Sequence, residues 1–495
     1  MKLHITGGMN EYYVQTLCMI FFPGEKFSGE ENENEPVLWL DVSESTEGIT
    51  AAARIAYQGK EARAVRTVPL DDKHTLDRTR KIAVGYVVLE TAGEVVHYRP
   101  SWGMLTGVRP SKIATELLLQ GMSKSRVRRT LASDYMVIPK KAALATEVAL
   151  REMEIIGTPD PRDCSVYISI PFCPTRCSYC SFVSYTSKRL LSLIPDYLTL
   201  LCTELRRKFA AIRELGLRVL SVYIGGGTPT ILNAEQLETL LKTVNEETDV
   251  SALREFTLEG GRPDTIDAEK LAIAAAYGVT RVCVNPQTLC DEVLKGVGRC
   301  HSAKDFYRAY DIARAAGIKC INTDLIVGLP GDDFTSFFAT YDEIIRLAPE
   351  NITVHTFCVK RAAEILREGK RAYNLRGGDA GKCVDYSQIR AAEAGYQPYY
   401  MYRQKNMVGN YENVGFAKPG TECLYNIYMM EEVHSIFAVG AGAVTKLVDY
   451  APAGTGKKSV IRRLFNPKYP YEYLEADGGI SQAEEIIGFY RERGF

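Results

Sequence analysis

The sequence predicts an α/β chain built on an incomplete barrel of six β/α units, with an α+β domain before it and an α/β cap after it. Three observations carry that expectation. Between residues 164 and 357, six short runs rich in β-branched and aromatic residues alternate with five amphipathic helical patterns. The alternation is absent from the first 160 residues and fails again after about residue 370. At 495 residues the chain also exceeds what one hydrophobic core can hold. The expected division is therefore 1–160, 161–370 and 371–495.

In the first segment, 37–42 (VLWLDV) and 84–89 (VGYVVL) have the composition of strands, and the acidic, Gly-containing stretch 25–35 reads as a loop. From Pro110 the pattern turns helical. SKIATELLLQG closes on Gly121, a residue suited to a left-handed C-cap, and 139–156 is a second apolar-periodic helix. The four cations of SKSRVRR, from Lys124 to Arg129, read as a solvated helix face. In the middle segment the strands are 166–170, 219–224, 255–259, 281–285, 320–327 and 352–357. The helices lie near 190–215, 234–247, 266–277, 303–316 and 334–347. Repeated strand–helix units call for a parallel sheet with right-handed crossovers, and in such barrels ligands sit on the loops beyond the strands' C-terminal ends. After 370 come a helix at 376–396, an aromatic tract YQPYYMYRQKNMVGNYENVGF and a Gly/Ala tract at 439–444. The basic stretch 457–463 reads as exposed.

Composition narrows the function. Hydrophobic residues make up 46% and charged residues 24%, an ordinary globular balance. Lys plus Arg number 60 against 61 for Asp plus Glu, which gives no footprint for wrapping nucleic acid. The N-terminus lacks the pattern of a signal peptide, and the run 14–22 is too short and polar to span a bilayer, so a cytoplasmic protein with no membrane span is expected. Thirteen cysteines then read as reduced thiols and metal ligands, not as a disulfide framework.

The chemistry concentrates in 166–182, VYISIPFCPTRCSYCSF, where Cys173, Cys177 and Cys180 stand at C-x3-C-x2-C spacing beyond the first strand. Thiolates are the usual iron–sulfur ligands, and three of them on a four-iron cube leave one iron open. A structural zinc site would want four ligands at paired spacing, and the one cysteine nearby is Cys164. Three unrelated buried thiols are the other bland reading, but they need neither this spacing nor Pro171 and Pro174 in the loop. The second strand ends in Gly225-Gly226-Gly227-Thr228-Pro229-Thr230, where a ligand can approach the backbone closely. Polar residues recur at the later strand ends: Glu259, Gln287, Arg299 and Asp324. Each alone could cap a helix. As a set they fit a bound ligand better than four separate caps.

These motifs resemble the radical S-adenosylmethionine (radical SAM) superfamily, and YxxIPFC with CxYCxF is similar to its oxygen-independent coproporphyrinogen III oxidase branch. LTGVRPSKI, YYMYRQKNMVGN and ENVGFAKPG look like a longer coproporphyrinogen dehydrogenase variant of that branch, and the C-terminal segment like the branch's C-terminal domain. The resemblance implies a [4Fe–4S] cluster on Cys173, Cys177 and Cys180, with the GGGTP segment holding the amino group of S-adenosylmethionine against the open iron. It implies one or two molecules of S-adenosylmethionine, with Tyr167, Gly226 and Glu259 serving one. Gly227, Thr228, Gln287, Arg299 and Asp324 would serve the other, Tyr179 lying beside them; Tyr167 and Glu259 carry the implied catalytic role. The branch's YxHIPFC has His where this chain has Ser169.

The implied reaction begins with one electron passed from the reduced cluster into the sulfonium, giving methionine and a 5′-deoxyadenosyl radical. The radical takes a propionate β-hydrogen from coproporphyrinogen III, and loss of CO2 and an electron leaves a vinyl group, twice over, to give protoporphyrinogen IX. An electron donor such as flavodoxin or ferredoxin would be a partner. Four substrate carboxylates call for basic residues, for which Lys360, Arg361, Arg403 and Lys405 are candidates, and the tyrosines of 396–411 could pack on a tetrapyrrole or form a core strand. Two rivals remain, a haem-binding chaperone of the same branch and a haem-degrading or methyl-transferring radical enzyme. Chaperones of the branch carry a His-Asn pair and a Trp that ECLYNIYMMEE lacks.

Overall fold

The computed structural model describes the chain except residues 28–34, 71–73, 108, 181, 183, 359–377, 405–406 and 452–458. It divides into two compact units. One holds the described parts of Met1–Ala149, Tyr373–Gly381 and Met401–Glu412; the other holds those of Leu150–Ala372, Lys382–Tyr400 and Asn413–Phe495.

The first unit runs β1 (Lys2–Ile5), α1 (Glu11–Phe21), β2 (Val37–Ser45), β3 (Gly48–Tyr57), β4 (Lys60–Val68), α2 (Leu76–Val96), α3 (Pro110–Leu119) and α4 (Lys124–Asp134). Its sheet has the order β1-β2-β3-β4. β1 pairs parallel with β2, and β2, β3 and β4 pair antiparallel. Residues 84–89, expected as a strand, lie instead inside the 21-residue helix α2. The helix starts on Thr75, whose side chain accepts from Arg78 N, and ends on left-handed His97. It lies against β3 and β4. Val84, Val87, Val88 and Leu89 are buried there, so tertiary burial overrides their β-propensity. Gly121 does end the α3 region in a left-handed conformation, φ +84°. In α4 Lys124, Arg126 and Arg129 are exposed, and Arg128 pairs with Glu147 at 2.9 Å, as a solvated face requires.

Helix α5 (Pro139–Ile156) carries the chain into the second unit. There β5 (Asp163–Ile170), α6 (Lys188–Leu191), α7 (Ile194–Glu214), β6 (Arg218–Gly226), α8 (Ala234–Glu247), β7 (Glu255–Gly261) and α9 (Ala268–Ala276) follow. Next come β8 (Arg281–Val284), α10 (Asp291–Gly296), α11 (Ala303–Ala315), β9 (Cys320–Val327), α12 (Phe334–Leu347) and β10 (Asn351–Thr356). The chain continues through α13 (Gly378–Glu393), β11 (Gln397–Tyr402), β12 (Asn413–Ala417), α14 (Leu424–Glu431) and β13 (Ser435–Val439). It closes with β14 (Val444–Asp449), β15 (Val460–Phe465), α15 (Pro470–Glu475) and α16 (Gln482–Arg491).

Strands β5 to β10 pair parallel in chain order, as six β/α units demand. Among the described residues they do not close on themselves: the sheet has eleven described strands in the order β11-β12-β10-β9-β8-β7-β6-β5-β13-β14-β15. The strands after residue 371 thus extend the barrel sheet at both edges instead of forming a layer of their own. β13 pairs parallel with β5, and β12 pairs antiparallel with β10.

Alternation gives this sheet two unlike faces. Val166, Ile168 and Ile170 point to one side of β5, all fully buried, while Ser165, Tyr167 and Ser169 point to the other. Register continues that second face across the strands, Ser165–Ser221–Glu255 in one row and Tyr167–Tyr223–Thr257 in the next. A parallel strand buried on both sides is usually apolar throughout. The second face instead carries Ser, Tyr, Glu, Arg and Asp.

Candidate active site

Beyond Ile170 the chain turns into the three-cysteine loop. Phe172 anchors the turn, fully buried and edge-on to Tyr197 at 5.1 Å. Backbone bonds fix the loop: Cys173 N to Tyr185 O at 3.1 Å, Tyr185 N to Pro171 O at 2.9 Å, Ser178 N to Val297 O at 3.0 Å and Cys180 N to Cys177 O at 3.0 Å. Cys173 and Cys177 are buried and Cys180 half-buried. Burial pushes the Cys173 thiol up to about 11 and raises Cys180 too, so both are neutral thiols that must give up protons to bind metal.

No group of three His, Cys, Asp or Glu side chains among the described residues could hold a single metal ion. A cubane asks for less crowding, since each thiolate meets an iron of its own. The surroundings of the loop suit such a group. Gly226 and Gly227 bring the end of β6 against it, with Gly227 N donating to Ile170 O and Thr228 N to Phe172 O, both at 2.8 Å. Gly226 has φ +115°, and a Cβ there would lie 2.9 Å from Ile170 N and O. A Cβ on Gly227 would come within 2.6 Å of Phe172 O and 3.0 Å of Cys173 Sγ. Thr228 Oγ1 is 3.2 Å from the same sulfur. Only glycine permits so close an approach of the backbone to the first thiol.

Arg299 closes the other side. Its guanidinium donates to Tyr179 Oη at 2.8 Å, Gly261 O at 3.1 Å and Asn285 O at 2.9 Å, and its Nε faces His301 Nδ1 at 3.3 Å. Burial, with the Arg299 charge beside it, drives His301 down to about 3, so it is a neutral imidazole. Its Nε2 is buried with no hydrogen-bond partner among the described residues.

Glu259, Gln287 and Asp324 stand on or beside the polar face. A bulge between Glu259 and Gly261 re-aims the end of β7. Glu259 Oε2 lies where a Cβ on Gly225 would meet it at 2.7 Å. Burial first, then the Asp324 charge, push Glu259 up to about 8. Gln287 takes the left-handed region, φ +69°, which lets its N donate to Asp324 O at 3.0 Å and its O accept from Ile326 N at 2.9 Å. Its buried Oε1 has no partner among the described residues. Asp324 Oδ2 accepts from Asn285 Nδ2 at 2.9 Å and lies 3.6 Å from His355 Nε2. Tyr167 stacks with Tyr223 at 6.1 Å and Tyr425 at 5.9 Å, and these two stack on each other at 4.6 Å. Burial first, and then Glu259, raise the Tyr167 phenol.

Two groups emerge. Cys173, Cys177, Cys180, Tyr179, Gly226, Gly227, Thr228 and Arg299 gather about the loop, while Tyr167, Glu259, Gln287 and Asp324 follow the polar face. Asn285 joins them, its carbonyl on Arg299 and its amide on Asp324. Sequence reasoning passed over Asn285, Arg262, His301, Tyr223 and Tyr425. The signals were there in part: Asn285 ends the fourth expected strand, and Arg262 follows the glycine pair of GGRPD.

Lys360, Arg361 and Lys405 lie outside the described residues. Arg403 is buried in the first unit, bonded to Leu105 O and the Asn410 side chain and 5.6 Å above the Trp102 ring. Tyr399 and Tyr400 are buried in β11, the core-strand reading of the aromatic tract.

Ser169 is a seated structural residue. It is 6% exposed, and its Oγ donates to Ala441 O at 3.1 Å. Tyr197 Oη donates to Ser169 O at 2.8 Å, and a Cβ on neighbouring Gly440 would come within 3.1 Å of Ser169 Cβ. Ser169→His is therefore expected to overpack this corner and lower stability by about 1–3 kcal/mol, read by urea denaturation. An unchanged midpoint would mean that the imidazole finds room.

Comparison with known proteins identifies relatives of this chain. A family model described as the Radical SAM superfamily matches residues 167–344. The oxygen-independent coproporphyrinogen-III oxidase-like protein HemZ of Bacillus subtilis is 36% identical, covering 96% of this chain and 95% of its own. The heme chaperone HemW of the same organism is 33% identical over 67% of this chain and 84% of its own. Among solved structures, the Escherichia coli coproporphyrinogen III oxidase HemN, a radical SAM enzyme, aligns with a TM-score of 0.49 and 21% identity over 68% of this chain and 72% of that one.

Proposed function

The chain belongs to the oxygen-independent coproporphyrinogen-III oxidase-like branch of the radical SAM superfamily, and from that premise we propose that it oxidatively decarboxylates propionate side chains of a coproporphyrinogen-type tetrapyrrole. The cofactors of the superfamily, a [4Fe–4S] cluster and S-adenosylmethionine, supply when bound a 5′-deoxyadenosyl radical able to remove an unactivated hydrogen. What supports the reading is the convergence of three thiols, a glycine run pressed against the first of them, and a polar face that ends in Glu259, Asp324 and the buried amide oxygen of Gln287.

This chain's own groups would divide the work as follows. Cys173, Cys177 and Cys180 hold the cluster. The backbone at Gly226, Gly227 and Thr228 would receive the amino group of S-adenosylmethionine, and Arg299 would face its carboxylate through the one Nη1 N–H left beyond its bonds to Tyr179, Gly261, Asn285 and His301. Glu259, Gln287 and Asp324 accept from ribose hydroxyls and Tyr167 backs them, with room for a second molecule of S-adenosylmethionine left as part of the proposal. No helix among the described residues is long and apolar enough to cross a membrane, and the electron donor is proposed to be a small protein such as flavodoxin or ferredoxin.

Glu259 makes binding depend on pH. Pushed up to about 8, its carboxyl is protonated at neutral pH in the free protein, while the form that accepts through both oxygens is the carboxylate. Affinity for S-adenosylmethionine should rise by up to about tenfold per pH unit and level off above pH 8. Glu259→Gln should flatten that profile, which equilibrium dialysis between about pH 6 and pH 9 would read.

A second reading is haem binding without turnover, favoured by the several relatives named heme chaperone. Anaerobic incubation of reconstituted, reduced protein with S-adenosylmethionine separates the two. Deoxyadenosine and CO2 formed from coproporphyrinogen support decarboxylation. Tight haem binding with no CO2 supports the chaperone reading and overturns ours, as would a methylated or ring-opened tetrapyrrole.

A further inference from the structure

We propose that Arg262 is a positioning residue that holds the three-cysteine loop and presents a fixed positive charge to the Cys177 sulfur, making the cluster easier to reduce. The inference rests on Cys177 being a cluster ligand. Arg262 sits in the turn that follows the bulge of β7, and its side chain is 5% exposed. Its Nε and Nη2 fork onto Asp264 at 3.1 and 3.0 Å. That bidentate grip fixes the guanidinium plane and directs the remaining edge at the loop. There Nη1 donates to Thr175 O at 3.1 Å and Thr175 Oγ1 at 2.8 Å, and stands 4.0 Å from Cys177 Sγ.

Three features make this more than a loop tie. Arginine does not deprotonate in proteins, so the charge persists whatever the state of its neighbours. The carboxylate of Asp264 lies behind the guanidinium, leaving the positive end of the pair toward the sulfur. Hydrogen bonds and positive charge near a ligating sulfur raise the potential of an iron–sulfur centre by stabilising its more negative, reduced form. The same side chain therefore links the end of β7, which carries Glu259, to the middle cysteine of the loop. A donor of modest strength could then deliver the electron.

The test is an EPR-monitored redox titration of the reconstituted protein alongside Arg262→Met, Arg262→Lys and Asp264→Asn, each with its iron counted. Arg262→Met is expected to reduce the equilibrium constant for one-electron reduction by a fixed donor at least tenfold, a downward shift of about 59 mV or more. Arg262→Lys should recover part of the difference, and Asp264→Asn, which removes the neighbouring negative charge while the Thr175 bonds keep Arg262 at the loop, should shift the potential upward by less. A wild-type potential in Arg262→Met with full iron overturns the proposal. If Arg262→Met cannot hold iron, Asp264→Asn decides, and its unchanged potential at full iron overturns the proposal equally. Failure of the premise looks different: the unmodified protein would take up no cluster, or Cys177→Ala would keep one.

Discussion

Replacing Cys177 by alanine is expected to cut the iron taken up on anaerobic reconstitution from about four per chain to background, and to abolish S-adenosylmethionine cleavage with it. The cysteine stands mid-loop, its carbonyl bonded to Cys180 N and its sulfur facing Arg262. A cube held by the two remaining thiols would expose a second iron and dissociate. Cys300 is the informative control. It is exposed, and its Sγ lies 3.7 Å from Thr175 Oγ1, close to the loop without belonging to the motif. Cys300→Ala should keep the full complement. Iron retained by Cys177→Ala, or lost by Cys300→Ala, would assign the cluster to a different set of thiols.

Arg281→Met should have the largest effect on stability. Arg281 lies in the same sheet, near the N-terminal ends of the parallel strands, and is 3% exposed. Its guanidinium meets Glu255 at 3.3 Å and Asn322 at 2.6 Å, and donates to the carbonyls of Thr421 at 2.8 Å and Glu422 at 2.9 Å. Glu255 in turn accepts from Leu424 N at 2.8 Å and Tyr425 N at 3.2 Å, the first turn of α14. One buried pair thus binds β7, β8 and β9 to the helix that brings Tyr425 beneath Tyr167. Removing one partner of such a pair leaves a buried charge uncompensated and costs about 3–5 kcal/mol. Urea unfolding followed by far-UV circular dichroism would read the loss in the transition of the second unit. A change below about 1 kcal/mol would mean that the pair is hydrated or replaceable.

The parallel core was legible because its signals are local. Helices α8 and α12 begin and end where the periodicity does, each set by a capping box, Asn233 with Gln236 and Asp333 with Ser336. The three cysteines stood out by their spacing and the glycine run by its place after them and its resemblance to the radical SAM GGGTP segment, and the close approach of Gly227 to Cys173 Sγ supplies a physical reason for glycine there. Val84–Leu89 was misread because β-branched residues look the same in a strand and in a helix buried against a sheet, and the burial is decided by the distant pairing of β2 to β4. That the strands after residue 371 pair onto the edges of the barrel sheet was not legible for a similar reason. Edge pairing such as Phe437 with Val166 joins residues far apart in sequence, which no local pattern records. Arg262, Asn285 and His301 gain their roles from a bulge and from loop approach, so their meaning appears only in three dimensions.

The claim on which the rest depends is that the loop carries a cluster with an iron left open for S-adenosylmethionine. EPR spectroscopy of the reduced, reconstituted protein tests it most directly, recorded before and after addition of S-adenosylmethionine. The account predicts a [4Fe–4S]+ signal whose g-values shift when S-adenosylmethionine is added, and whose shift is lost in a Gly227→Ala variant that still holds iron. A cluster signal unchanged by S-adenosylmethionine in the unmodified protein would contradict it.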